Sequence, residues 1–242
     1  MQISLALDAD PKLPRIRDRL IAIHGPQRDE LRHDPTSQFI KAMLSSCTLD
    51  SISDATYLKL HTGLPSWDEL ADVDPAALAP VIQDVTHASN KAIHLVTSAR
   101  IIKARRGRLD LAFLAGRSVE HAMAWLLPLP GVGWKVAAVT VNFSTLRMRA
   151  LVVDRHVLRA SQCMGLLPLT ADFTRGFHML MRLVPNNWDA DDLYELHWLM
   201  KKQSQTICSH PHIASNSCPL GRFCGTVIVQ NRSPRNLDRP MH

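Results

Sequence analysis

Leu126-Leu127-Pro128-Leu129-Pro130-Gly131-Val132-Gly133-Trp134-Lys135-Val136-Ala137-Ala138 decides how this chain is read. An apolar helix is halted by Pro128 and Pro130, two glycines permit a tight turn, and a second helix starts at once. The backbone N–H groups at that new N-terminus, carried on a hairpin nearly bare of side chains, suit a phosphate and ignore base sequence. A plain connector between packed helices would use the same glycines. The residues that follow distinguish the two readings.

Lys135 falls in the first turn of the second helix, where the positive end of the helix dipole opposes its charge. The same field, with partial burial beside the hairpin, favours the neutral amine that can attack carbon. On position alone a tolerated surface lysine fits equally well. Downstream, Leu151-Val152-Val153-Asp154-Arg155-His156-Val157-Leu158-Arg159 delivers one carboxylate and then a basic helix. Asp154 is an apt N-cap for that helix, and an N-cap can also be a catalytic group. A phosphate cradle, an amine and a carboxylate are thus on offer together.

Working outward, helix signals recur along the chain and alternating strand patterns are nearly absent, so the fold is read as all-α. A first helix is expected from about Pro14 to His24, stopped by Gly25, and a second after Thr36 and Ser37 with Phe39, Ile40, Met43 and Leu44 on one face. Asp50 can cap a third, with Ile52, Ala55 and Leu58 inward and Gly63 as its stop. Ser66-Trp67-Asp68-Glu69 has capping-box spacing, and Asp74-Pro75 pairs a cap with an N1 proline. Ser89 precedes a long run in which Ala92, Ile93, Val96 and Ala99 share a face up to Gly107. Helices at about 118–127 and 133–145 complete a bundle, and Asp154, Thr170 and Asp189 mark three further starts.

Lys and Arg exceed Asp and Glu by 28 to 22, a formal charge of +6, which favours a polyanionic partner without naming one. Arg100, Lys103, Arg105, Arg106 and Arg108 concentrate that bias just before the hairpin, as a solvated helix face or a phosphate-contacting surface. The N-terminal stretch lacks a basic and then apolar leader, and no stretch stays apolar for the ~18 residues of a membrane span. A soluble, cytoplasmic monomer is expected. Of five cysteines, three cluster at Cys208, Cys218 and Cys224, more like a metal site than a disulfide framework. Residues 226–242 are polar and basic and read as a disordered tail.

Leu129 to Lys135, followed 19 positions later by Asp154 in Val-Asp-Arg-His-Val-Leu-Arg, resembles the endonuclease III family of the helix-hairpin-helix glycosylase superfamily. Met43-Leu44-Ser45-Ser46, Ser89-Asn90-Lys91-Ala92, His197-Trp198-Leu199 and Cys218-Pro219-Leu220 extend the likeness over about residues 30 to 225. The resemblance implies a two-lobed fold: residues 30–146 as a six-helix bundle with the hairpin, residues 1–29 and 147–225 as a second helical lobe. It implies a base-excision glycosylase with AP-lyase activity on double-stranded DNA, acting on oxidised pyrimidines and abasic sites after flipping the nucleotide out. Lys135 would be the nucleophile and Asp154 its carboxylate partner. DNA would be contacted by Leu129, Pro130, Gly131, Val132, Gly133, Arg155, His156, Arg159, Cys47, Ala88, Asn90 and Lys91.

Two departures stand out. Family members with a [4Fe–4S] cluster use the spacing C-x6-C-x2-C-x5-C; Cys208, Cys218 and Cys224 match the first, third and fourth places, whereas the second is Ser215. His210 and His212 lie nearby as substitutes, and Cys163 is remote in sequence. The gap-filling positions, glutamine and a bulky apolar residue in the family, fall here on Cys47 and Ala88. An oxidised-purine glycosylase of the same superfamily, or a catalytically impaired DNA-binding protein, are the competing readings.

Overall fold

Helices fill the described residues of the computed structural model, 12–28, 31–208 and 218–224, with one isolated bridge between His33 and Ser144 in place of any strand. The fold is all-α. No described helix is long and apolar enough to cross a membrane. The tail from 226 onward, with His210, His212 and Ser215, lies outside the described residues.

The described residues divide into two compact units, a central one from within 28–152 and 189–194 and a flanking one from within 12–27, 153–188 and 195–224. Compared with the boundaries expected from sequence, residues 147–152 and 189–194 group with the central unit. The reason is polar: Asn142 Nδ2 donates to the carbonyls of Met148 (2.9 Å) and Ala190 (3.0 Å), while Arg32 and Arg147 both pair with Asp191.

α1 is Lys12–His24, α2 Pro35–Ser45, α3 Asp50–Gly63, α4 Pro75–Val81, α5 Ala88–Arg106, α6 Val119–Leu126 and α7 Trp134–Asn142. α2 starts earlier than expected, because Asp34 accepts from the Thr36 and Ser37 N–H groups with Pro35 at N1, a cap of about 1 kcal/mol. It packs on α3 and α7, burying Phe39, Ile40 and Leu44. α3 turns the other way from the expected orientation: Ser53, Thr56, Tyr57 and Leu60 are buried and Leu58 is 59% exposed. In α5, Ala92, Val96 and Ala99 face inward as expected, but Ile93 is 51% exposed and Leu95 is buried instead.

The flanking unit contains α1, α8 (Arg155–Cys163), α9 (Phe173–Leu183) and most of α10 (Ala190–Gln203), continued by a π-helical turn, Ser204–Cys208. Its core includes Leu13, Ile16, Leu20, Val157, Leu180, Leu196 and Met200. Asp154 caps α8 as expected. α9 is capped by Asp172, not by Thr170, since only Asp172 reaches the Arg175 N–H. Arg17 pairs with the buried Glu195 at 2.5 Å, tying α1 to α10.

Candidate active site

The hairpin forms as its residues dictate. α6 ends at Leu126, the Val132 N–H donates to the Leu129 carbonyl at 3.1 Å, and α7 begins at Trp134. Gly131 has φ +76°, and a Cβ there would lie 2.8 Å from the Cβ of His94 on α5. Both facts require glycine. Gly133 is the N-cap of α7 and offers no capping side chain; a Cβ on it would meet nothing within 4 Å, so this part of the turn borders open space. Ser98 Oγ donates to the Pro130 carbonyl at 2.9 Å and fixes the hairpin to α5. Leu129 is buried, so its side chain packs the turn and is withdrawn from the surface expected to meet DNA.

Lys135 is half-buried, and its ammonium donates to Ser45 Oγ at 2.9 Å, at the end of α2. Ser45 was not singled out as a functional residue; its place in Met-Leu-Ser-Ser was the only sequence signal. Next to it is Lys91, which sequence placed among the DNA contacts. In the structure Lys91 is only 9% exposed and donates to the carbonyls of Leu44 (2.6 Å) and Ser46 (2.6 Å) and to Thr48 Oγ1 (2.8 Å). An ammonium has three protons, and three acceptors take them. Burial lowers the Lys91 pKa from 10.5 to about 8, with the charge of Lys135 acting in the same direction and Cys47 against it.

Thr48 Oγ1 also accepts from the Thr86 N–H at 3.1 Å, so Lys91 and Thr48 join the loop after α2 to the loop before α5. Each loop carries a non-glycine residue in the left-handed region: Cys47 (φ 55°) and His87 (φ 59°), both exposed. Asn90 is exposed and Ala88 half-buried at the start of α5. Lys135, Cys47, Ala88, Asn90 and the hairpin therefore all belong to the central unit.

The basic cluster before the hairpin is largely committed within the unit. Arg100 donates to the carbonyls of Ala71 and Val73, Lys103 pairs with Asp72, Arg108 pairs with Asp110, and Arg106 stacks on Phe113 at 4.0 Å.

The carboxylate lies in the flanking unit. Asp154 Oδ1 accepts from the N–H groups of His156 (2.9 Å) and Val157 (2.8 Å). Burial pushes its pKa up, but His197, the Val157 N–H, Lys201 and His156 together outweigh it and hold the carboxyl below 3.8. It is a carboxylate at neutral pH. His197 and Lys201, both buried on α10, are partners that the local motif around Asp154 did not reveal. Burial first, then Arg155, Lys201 and Arg159, lowers the His156 pKa below 6.5 against the pull of Asp154. Arg155 is exposed and Arg159 half-buried on the same helix.

Endonuclease III of Thermotoga maritima is 29% identical over 212 residues, covering 86% of this chain and 93% of that protein. The solved structure of an endonuclease III trapped as a covalent intermediate with DNA superposes with a TM-score of 0.71 at 21% identity, over 88% of this chain and 94% of the other, which gives the fold. In sequence and in fold this chain is similar to endonuclease III proteins over most of its length. Endonuclease III-like protein 1 of Gallus gallus is 24% identical over 189 residues, 78% of this chain; the chain spans 63% of that relative's length. No protein-family profile matches this chain.

Proposed function

We propose that this protein is a base-excision DNA glycosylase with AP-lyase activity, acting on double-stranded DNA that carries an oxidised pyrimidine or an abasic site. The observation that carries the reading is Lys135: an amine at the first turn of the hairpin's second helix, hydrogen-bonded to Ser45 and beside the buried ammonium of Lys91. The charge of Lys135 adds to burial in lowering the Lys91 pKa, and only a neutral amine is a nucleophile.

In this reading the hairpin N–H groups hold a phosphate and the nucleotide is flipped out. The Lys135 nitrogen bonds to C1′, the C1′–base bond breaks with its electron pair going to the base, and the base leaves protonated. The sugar ring opens to an iminium, a C2′ proton is removed, the 3′ phosphate departs, and water hydrolyses the imine to return the amine. Asp154, ionised at neutral pH, is assigned the stabilisation of the sugar cation and proton transfer. Cys47 and Ala88 are assigned to the gap left by the flipped nucleotide, with Pro130, Val132, Asn90, Arg155, His156 and Arg159 as further DNA contacts. The two units are read as the two lobes of a cytoplasmic monomer.

Borohydride trapping on thymine-glycol and abasic duplexes tests this. A covalent adduct on both supports it; damage-independent binding without any adduct overturns it in favour of a catalytically impaired DNA-binding protein.

A further inference from the structure

Four of the five cysteines gather in the flanking unit, and the fourth is not the one that the spacing would supply. Cys163 is the last residue of α8, and Cys208 ends the π-helical turn that packs on α8. Cys218 is buried, and Cys224 follows the 3-10 turn Gly221–Phe223. The thiols of Cys208 and Cys163 are hydrogen-bonded to each other, and so are those of Cys224 and Cys218. Cys163 acts electrostatically on both Cys208 and Cys224, and Cys218 on both as well, so the two pairs form one group. Gln203 Nε2, also buried, donates to Cys218 Sγ at 3.8 Å. The fifth cysteine, Cys47, is exposed in the central unit.

We propose that Cys163, Cys208, Cys218 and Cys224 together hold a [4Fe–4S] cluster, with Cys163 from α8 supplying the thiolate that Ser215 cannot. The donor set fits the group: four thiolates match a cubane that takes one thiolate per iron, and a serine hydroxyl is a poor ligand for it. Sequence distance from Cys208 is no obstacle, since the packing of the π-helical turn on α8 brings Cys163 to it. A single metal ion fits less well. Among the described residues no group of three or more ligating side chains is arranged to hold one, and the thiols pair two and two instead of converging on one point.

Four thiolates crowded together require a compensating cation, and each thiol would release its proton to solvent as it ligated iron.

The test uses the full chain, purified and reconstituted anaerobically with iron and sulfide, and reads iron, acid-labile sulfide and the visible absorption of the cluster. About four irons and four sulfides per chain are expected for the wild type. Cys163→Ala and Cys163→Ser should lose most of that iron, and Ser215→Cys in the Cys163→Ala background should restore it, which a merely misfolded variant would not allow. Lys135→Ala should keep the full cluster, so failure of this assignment and failure of the lyase reading are seen separately. Wild-type iron in Cys163→Ala would overturn the proposal, as would zinc without sulfide, or no metal at all, in the reconstituted wild type.

Discussion

Replacing Lys91 by methionine should damage catalysis far more than stability. The substitution fills nearly the same volume and removes the ammonium that serves Leu44 O, Ser46 O and Thr48 Oγ1. Three hydrogen bonds at about 1 kcal/mol each are lost, roughly 3 kcal/mol in all. Against this, lowering the pKa from 10.5 to about 8 means that keeping the buried lysine charged at neutral pH costs about 3 kcal/mol, at about 1.4 kcal/mol per pKa unit. The two nearly cancel, so the expected change is about 1 kcal/mol, or about 2–4 °C in Tm. The loops carrying Cys47 and Thr86, however, lose their common anchor, and an error of about 1 Å in positioning is worth about 100-fold in rate. Single-turnover borohydride trapping should therefore slow about 10- to 100-fold. Urea melts supply a second signature. Between about 8 and 10.5 the unfolded wild type retains a proton that the folded protein has shed, so wild-type stability rises with pH across that window and the Met variant's does not. A Lys91→Met protein that traps at the wild-type rate, or whose pH–stability curve superimposes on the wild type's, would refute the reasoning.

Two further outcomes follow from the site geometry. Gly131→Ala meets both a positive φ and a 2.8 Å approach to His94, and should cost about 2–4 kcal/mol in a urea melt, whereas Gly133→Ala, with open space around it, should cost less than about 1 kcal/mol; equal losses would remove the argument from close approach. Asp154→Asn keeps an oxygen for the His156 and Val157 N–H groups, so neutral-pH stability should change by less than about 1 kcal/mol while base excision slows by about 100-fold. Because the wild-type carboxyl is held below 3.8, its ionic stabilisation is present above 3.8 and is lost as pH falls through the folded value. The stability difference from the Asn variant should then shrink in acid, and a difference that grows would contradict the assigned partners.

What was legible in the sequence is what single residue types impose on the backbone. The proline–glycine hairpin was readable because glycine suits the positive φ of Gly131, and the Asp154 cap because a short carboxylate can accept from the first free N–H groups of a helix. The face of α3 was not, since Ser53 and Thr56 donate to carbonyls of their own helix, Asp50 O at 2.9 Å and Ile52 O at 2.8 Å, and are thereby freed to be buried while Leu58 faces out. Lys91 was placed among the DNA contacts by resemblance, and its burial was not legible because its acceptors come from residues 44–48, far off in sequence. Cys163 and the partners of Asp154 on α10 were hidden likewise, because helix packing joins segments that no local spacing relates.

The central claim is the nucleophile, and borohydride trapping of Lys135→Ala beside the wild type on an abasic duplex tests it most directly. Spontaneous β-elimination is subtracted with an enzyme-free control, and DNA affinity is measured on the same preparations. The expected result is loss of both the trapped adduct and strand cleavage with affinity within about threefold of the wild type, since a half-buried amine bonded to Ser45 contributes chiefly to chemistry. Trapping by Lys135→Ala at the wild-type rate would place the nucleophile elsewhere and contradict the account.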